Sequence, residues 1–224
     1  MRAVLLERVR EEVVAAARRL EEAGLLRGTA GNLSARDGRL VAVTPSGVGY
    51  RELEAAQVGV LDLDGRPVDG ELLPSSETPL HLAVYRARAD AGAVVHTHSM
   101  FATTLAVLGE ELPAVHYHLA LAGTRVRVAP YATYGSQELA ARCVATLGGD
   151  RAVLLANHGV VALGADLRRA QAVAEAVEFT AELYWRARAI GTPRVLPAEE
   201  IARVAAAFAS YGQPPAGHHP PAGR

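Results

Sequence analysis

The sequence contains no lysine, and each of its 23 strongly basic side chains is an arginine. Schiff-base catalysis and the attachment of pyridoxal phosphate need a lysine amine, and a Walker-type phosphate loop needs its lysine as well. Apart from a role for the terminal amine, the composition excludes these classes of site. If the protein activates a carbonyl group, a metal ion must do it. If it binds an anion, backbone N–H groups, hydroxyls or arginine must hold the charge.

The sequence also has few cysteines, little net charge and no long apolar run. Cys143 is the single cysteine, which excludes an intrachain disulfide and a thiolate metal cluster. The formal net charge of -1 argues against a surface for nucleic acid or anionic membrane. No run reaches the roughly 18 apolar residues of a membrane span, and charged residues interrupt the first apolar stretch, so no signal peptide is predicted. We therefore expect a cytoplasmic protein with no nucleic-acid or membrane partner.

The spacing of apolar residues predicts short strands interleaved with helices. Half of the 224 residues are hydrophobic, enough for the core of one domain. Asp37-Gly38 and Asp64-Gly65 lie between apolar runs and indicate hairpin turns. Helices are predicted at about 3–23, 78–88, 100–108, 137–147, 167–190 and 198–209, and strands at 33–36, 39–43, 58–63, 93–98, 125–128, 152–156 and 160–163, whereas 114–119 is ambiguous. The expected fold class is α/β (α+β layered), a single domain at 1–211 on a mostly antiparallel or mixed sheet, followed by a flexible Pro/Gly-rich tail at 212–224.

Two histidines separated by one residue end an apolar, β-prone run. Side chains alternate between the faces of a strand, so His96 and His98 are predicted to point the same way. Their Cα atoms would lie about 6–7 Å apart. Two imidazoles can converge on one ion at this separation, at Zn–N distances of about 2.0–2.1 Å. The pair alone does not distinguish metal ligands from ordinary histidines.

A third imidazole is needed for a catalytic zinc, which usually has three protein ligands and an open position. His158 is the best candidate because it follows an apolar strand and precedes Gly159, at a point where a strand end could meet the first pair. His116 and His118 have the same two-residue spacing and form a competing pair. His81 falls within a predicted helix and is interpreted as a packing or surface residue.

Glu77 is the candidate carboxylate, and it stands at a predicted helix start after Ser75 and Ser76. An acidic residue at this position is also a routine helix-capping device, so two interpretations are open. Helix starts present free N–H groups to anions, and the two serines would add hydroxyl donors.

Two further turns are rich in small donor residues. Gly31-Asn32 and Ser46-Gly47 are of the type that forms anion-binding nests. Because the chain has no lysine, such turns are where a phosphate group could be held.

Five motifs stand in the order that they have in the class II aldolase and adducin family. The sequence resembles this family from its first helix to about Tyr211, and most closely its branch that acts on L-fuculose 1-phosphate. The motifs are Gly28-Thr29-Ala30-Gly31-Asn32-Leu33-Ser34, Thr44-Pro45-Ser46-Gly47, Pro74-Ser75-Ser76-Glu77, His96-Thr97-His98 and Asn157-His158-Gly159. The resemblance implies a central, mostly antiparallel sheet flanked by helices and assembly as a homotetramer with active sites at subunit interfaces.

The resemblance also implies a role for each motif residue. One Zn²⁺ per subunit would be held by His96, His98 and His158, with Glu77 as a ligand that can leave the metal and act as the catalytic base. Tyr117 would reach a neighbouring subunit's site as a proton donor, and Tyr211 would close over the site from the tail. The implied phosphate-binding residues are Gly31, Asn32, Ser46, Gly47, Ser75 and Ser76.

The implied reaction is zinc-dependent, reversible cleavage of a ketose 1-phosphate, above all L-fuculose 1-phosphate, to dihydroxyacetone phosphate and L-lactaldehyde through an enediolate. Other members of the family are a pentulose-5-phosphate 4-epimerase, a methylthioribulose-1-phosphate dehydratase and non-catalytic adducin-like modules. The epimerase characteristically has aspartate where Glu77 stands, so Glu77 favours an aldolase. An intact set of three histidines argues against the adducin-like alternative.

Overall fold

The computed structural model describes residues 5–209, so Tyr211 and the tail at 212–224 lie outside the described residues. The helices are α1 Glu7–Glu22, α2 Thr78–Ala87, α3 Met100–Leu108, α4 Gln137–Leu147, α5 Leu167–Ile190 and α6 Ala198–Ala209, with short 3₁₀ turns at Ala55–Gln57 and Tyr117–Leu121. The strands are β1 Asn32–Asp37, β2 Leu40–Val43, β3 Gly59–Asp62, β4 Pro67–Asp69, β5 Ala93–Thr97, β6 Leu112–Pro113, β7 Arg125–Val126, β8 Val128–Ala129, β9 Ala152–Leu155 and β10 Gly159–Gly164.

Eight strands form one sheet in the order β4-β3-β2-β1-β5-β10-β9-β8, and β6 pairs with β7 in a separate ribbon. Every neighbouring pair in the large sheet is antiparallel except β8 and β9, which are parallel. The predicted mostly antiparallel or mixed sheet is confirmed. Two of its hairpins turn at Asp37-Gly38 and Asp64-Gly65, where Gly38 and Gly65 have the positive φ values that favour glycine.

Helices cover both faces of the sheet, and the alternation of side chains decides which residue faces which layer. In β5, Ala93 and Val95 belong to the buried cluster that contains α1, α3 and α5. Val94 belongs to the second cluster, with α2 and α4. His96 shares the parity of Val94, so it points toward the α2 side. The candidate metal ligands therefore have to be sought on that face.

Two predicted elements differ from those observed. The helix predicted from residue 3 begins at Glu7, because Leu6 has the left-handed backbone conformation (φ 56°), which a helix cannot run through. The strand predicted at 125–128 is divided at Arg127: β7 pairs with β6, whereas β8 pairs with β9 of the large sheet. The ambiguous segment 114–119 leads into the 3₁₀ turn Tyr117–Leu121. Between residues 5 and 209, no helix combines the length and the apolar character that a membrane span requires.

Candidate metal centre and active-site cleft

The central strand β5 and the residue just after it place two imidazoles close together. His96 lies in the strand and is fully buried, and His98 follows just after its end. Their Nε2 atoms are 3.0 Å apart. The convergence predicted from the spacing is therefore observed.

A hydrogen bond of the Nδ1 atom sets the tautomer of His96. Its Nδ1–H donates to the carbonyl oxygen of Val160, in the adjacent strand β10, at 3.0 Å. A histidine whose Nδ1 carries the proton presents the Nε2 lone pair on its other side. That lone pair faces the other imidazoles, as a metal ligand requires.

His158 joins the pair from the hairpin between β9 and β10. Its N–H donates to the carbonyl of Leu155 at 3.0 Å, which closes the turn, and Asn157 takes the left-handed conformation (φ 55°) that asparagine tolerates. The His158 ring centroid is 4.8 Å from that of His96 and 5.0 Å from that of His98. The predicted third imidazole thus lies beside the other two.

Glu77 completes the group from the start of α2. Its carboxylate makes no capping hydrogen bond to the helix, so the capping interpretation is wrong. Oε2 lies 3.1 Å from Nε2 of His96, and Oε1 lies 3.3 Å from Nε2 of His158. Oε1 is buried and has no hydrogen-bond partner among residues 5–209. A buried carboxylate oxygen that has no hydrogen-bond partner and faces imidazole nitrogens is suited to bind a metal ion.

The four ligand atoms lie within 4.8 Å of one another, and among residues 5–209 this is the one group of three or more histidine, cysteine or acidic residues placed to hold a metal ion. The competing pair His116 and His118 does not belong to such a group. Three imidazole nitrogens and one carboxylate oxygen form a donor set suited to zinc and to other first-row divalent metals. The residues therefore fit a metal centre.

Burial keeps the imidazoles of His98 and His158 in the neutral form that binds metal. Desolvation by burial, followed by the electrostatic influence of the neighbouring His96, lowers the pKa of both His98 and His158 to about 4. Burial opposes ionisation of Glu77, but the neighbouring His96 and the amide of Asn32 outweigh it and hold the pKa of Glu77 well below its ordinary value. Near pH 7 the site consequently offers the neutral imidazoles of His98 and His158 and the carboxylate of Glu77.

A cleft of about 240 Å³ opens onto this group, lined by Glu77, His98, Tyr131, Ala132, Tyr134, Asn157 and His158. His96 lies behind it, out of contact with solvent. Tyr131 and Tyr134 are mostly exposed and flank the cleft. The sequence pattern alone did not assign these two tyrosines to the site.

Two of the three predicted phosphate turns are joined to each other. Ser46 N–H donates to the carbonyl of Leu73, and Ser75 N–H donates to the carbonyl of Thr44, both at 3.0 Å. Ser75 Oγ accepts from the N–H of Glu77 at 3.2 Å. Ser46, Gly47 and Ser76 are exposed. These turns are therefore joined to the segment that leads into Glu77, and their phosphate role stays a prediction.

In the third predicted phosphate turn, Gly31-Asn32, the asparagine side chain contacts Glu77 and His81. Gly31 precedes β1 with φ 85°, and a Cβ there would meet the carbonyl of His96 at 2.6 Å. The Asn32 side chain is buried: its Nδ2 donates to Oε2 of Glu77 at 2.9 Å, and its Oδ1 contacts Nε2 of His81 at 2.5 Å. His81 is thus a packing residue, as expected, but it is also connected to the site. Its position four residues after Glu77, on one helix face, was the sequence signal for this.

Tyr117 does not line the cleft of its own chain. It is 45% exposed, and its ring packs against His116. Tyr211 lies outside the described residues. Both roles remain predictions.

Comparison with known proteins agrees with the site. Residues 11–185 match the family model described as class II aldolase and adducin N-terminal domain. A 5-deoxy-D-ribulose 1-phosphate aldolase of Bacillus thuringiensis is 46% identical over 94% of this chain and 100% of its own length. An L-fuculose phosphate aldolase of Escherichia coli K12 is 42% identical over 84% of this chain and 88% of its own length. A solved L-fuculose 1-phosphate aldolase has a TM-score of 0.88 and 45% identity, covering 90% of this chain and 96% of that one. The chain belongs to the class II aldolase and adducin family, and within that family to the aldolases.

Proposed function

We propose that this protein is a zinc-dependent enzyme that reversibly cleaves a deoxyketose 1-phosphate to dihydroxyacetone phosphate and a short aldehyde. The motif resemblance favours L-fuculose 1-phosphate, which would release L-lactaldehyde. The name of the 46% identical relative favours 5-deoxyribulose 1-phosphate, which would release acetaldehyde. Both substrates contain the same phosphorylated three-carbon half and differ in the aldehyde half.

The observation that carries the proposal is the convergence of Glu77 with three imidazoles at the base of an open cleft. A binding site for a deoxyketose phosphate needs a buried polar end, which contacts the half that reacts, and a less polar end, which contacts the terminal methyl group. The cleft supplies the first with Glu77 and the histidines and the second with the rings of Tyr131 and Tyr134.

Each step can be assigned to residues of this chain. His96, His98, His158 and Glu77 would hold Zn²⁺, which supplies a Lewis acid that stabilises negative charge on the substrate oxygens. In the synthetic direction the Glu77 carboxylate removes a proton from the hydroxymethyl carbon of dihydroxyacetone phosphate. In cleavage it returns that proton after the bond between substrate carbons 3 and 4 has broken.

The proton on the oxygen of substrate carbon 4 needs a second group. We assign it to Tyr117 of a neighbouring subunit in a homotetramer, because Tyr117 is half-exposed and does not line the cleft of its own chain. The phosphate group would bind at the joined turns that carry Ser46 and Ser75, where the exposed Gly47 and Ser76 would supply N–H or hydroxyl donors in place of the missing lysine.

The test is a panel of ketose 1-phosphates incubated with zinc-loaded protein, with dihydroxyacetone phosphate measured by a coupled reductase. We expect release from L-fuculose 1-phosphate or 5-deoxyribulose 1-phosphate, and kcat/KM for the two identifies the preferred aldehyde half. Release from no member of the panel, together with epimerisation of a pentulose 5-phosphate, would overturn the proposal.

The matched variant is Glu77→Gln. It keeps the size of the side chain and an oxygen ligand but removes the base. We expect it to retain zinc and inorganic phosphate and to lose about 10²–10⁴ in turnover, the usual contribution of general acid–base catalysis. Cleavage at the wild-type rate would show that Glu77 is not the base.

A further inference from the structure

A chain of hydrogen bonds leads from Glu77 into the interior between β1 and α2. Nδ2 of Asn32 lies 2.9 Å from the carboxylate, and Oδ1 of Asn32 lies 2.5 Å from Nε2 of His81. Nδ1 of His81 lies 2.6 Å from Oγ of Ser34, which lies 2.7 Å from the hydroxyl of Tyr85. Five side chains are thus connected in series, and only Glu77 has a role in the proposed reaction.

Solvent does not contribute to this chain. His81 and Ser34 are fully buried, and Tyr85 and Asn32 are 2% and 4% exposed. In such an environment a donor that faces a donor costs the full desolvation of both groups. The direction of each hydrogen bond must therefore be settled by protein groups and not by water.

The carboxylate settles that direction. An ionised carboxylate only accepts, so the Asn32 amide nitrogen donates to it and the amide oxygen faces His81. That oxygen also only accepts, so Nε2 of His81 must carry the proton and Nδ1 must be bare. Bare Nδ1 then accepts from the Ser34 hydroxyl, whose oxygen accepts in turn from Tyr85. With Glu77 ionised, all four hydrogen bonds form in this one arrangement.

We infer that His81 is a positioning residue for Glu77: as the Nε2–H tautomer it fixes the Asn32 amide so that its N–H groups, and not its oxygen, face the carboxylate. This inference rests on the proposed function, in which Glu77 transfers a proton. Without the His81 donor, the buried amide oxygen of Asn32 has no partner, and the Asn32 side chain loses the contact that anchors it beside Glu77. The carboxylate would then lose the donor that holds Oε2 in place.

The first test needs neither substrate nor metal. Long-range ¹H–¹⁵N NMR spectra of metal-free protein labelled at histidine report which ring nitrogen carries the proton, and His81→Phe identifies the signals. We expect His81 to be neutral with its proton on Nε2 at pH 7. A proton on Nδ1 would reverse the direction of the chain and overturn the inference.

The second test isolates proton transfer at the dihydroxyacetone phosphate carbon, followed as exchange with D₂O in the absence of aldehyde. For His81→Phe, which removes both ring nitrogens, we expect exchange to slow by about 10–100-fold, the usual cost of losing a residue that orients a metal-site ligand, with little change in KM. For His81→Gln, whose amide N–H can replace Nε2–H, we expect most of the rate to return.

Thr180→Val is the control for disturbing a buried polar side chain. Thr180 is fully buried in α5, and its hydroxyl has no hydrogen-bond partner within residues 5–209. We expect its exchange rate to equal that of the wild type. A folded, zinc-replete His81→Phe that exchanges at the wild-type rate would overturn the positioning role, as would a His81→Gln as slow as His81→Phe. If the wild type itself exchanges no proton, the proposed function fails, and the tautomer measurement still decides the arrangement of the chain.

Discussion

Gly159 allows a direct test of how tightly the metal centre is packed. It is the first residue of β10, and it passes close to the end of β5. A Cβ at this position would lie 2.4 Å from the carbonyl oxygen of Thr97, 2.9 Å from the ring of His98 and 3.3 Å from that of His96. We expect Gly159→Ala to fold with reduced stability and to bind zinc poorly.

The magnitude follows from these distances. Side-chain Cβ atoms essentially never approach other heavy atoms closer than 3.0 Å, so β5 and β10 must separate by at least about 0.6 Å. Metal–ligand distances tolerate only about 0.2 Å of error. Overpacking of this kind costs about 1–3 kcal/mol of folding free energy, and displaced ligands should weaken zinc binding by 10–100-fold or more.

Gly149→Ala is the matched control. Gly149 follows α4, has no atom within 4 Å of an added Cβ and does not have the positive φ that favours glycine. Zinc affinity is measured by competition with a chromophoric chelator, and stability by thermal unfolding with and without zinc, since a bound metal raises the melting temperature by mass action. Equal zinc affinity in the two variants would refute the packing argument.

Three further predictions concern buried or capping groups. Cys143 is fully buried, and burial raises the pKa of its thiol to about 12. We therefore expect no reaction of the native protein with a thiol reagent at pH 8, and reaction of one equivalent once the protein is unfolded. Labelling of the native protein would contradict this. Ser136 caps α4 by accepting from the N–H of Leu139 at 3.0 Å, so Ser136→Ala should lose about 1 kcal/mol in urea unfolding and Ser136→Asp should not. Burial lowers the pKa of His81 from 6.5 to about 3, so between these pH values the unfolded chain binds a proton at His81 and the folded chain does not. Stability should therefore fall as the pH drops below about 6.5, by up to about 1.4 kcal/mol per pH unit for this residue, and His81→Phe should show a shallower loss.

Local periodicity was sufficient to predict part of the site. The alternation of a strand places His96 and His98 on one side, and the Asp-Gly turns fix two hairpins, so these features follow from a few neighbouring residues. The helix boundaries of α3, α4 and α5 follow from apolar spacing in the same way. Such patterns are set by backbone geometry and need no knowledge of the rest of the chain.

Other features depend on which strands pair. Whether Glu77 caps its helix or faces the imidazoles is decided by β5 lying beside β1, since that pairing brings His96 next to Asn32. The hydrogen-bond chain through Ser34 and His81 likewise requires α2 to lie over β1. Residue spacing could suggest the face of each side chain but not its partner on another element.

The position of β5 in the sheet also has a consequence for the order of folding. His96 pairs with Asn32 on one side and Val161 on the other, and the carbonyl that fixes its ring belongs to a residue 64 positions away. Contacts between such distant segments form late, because closing long loops costs entropy before the contacts are made. A growing chain that ends before His158 lacks part of the donor set altogether. A metal ion at this group would therefore add its full stabilisation only after the central strands of the sheet have met.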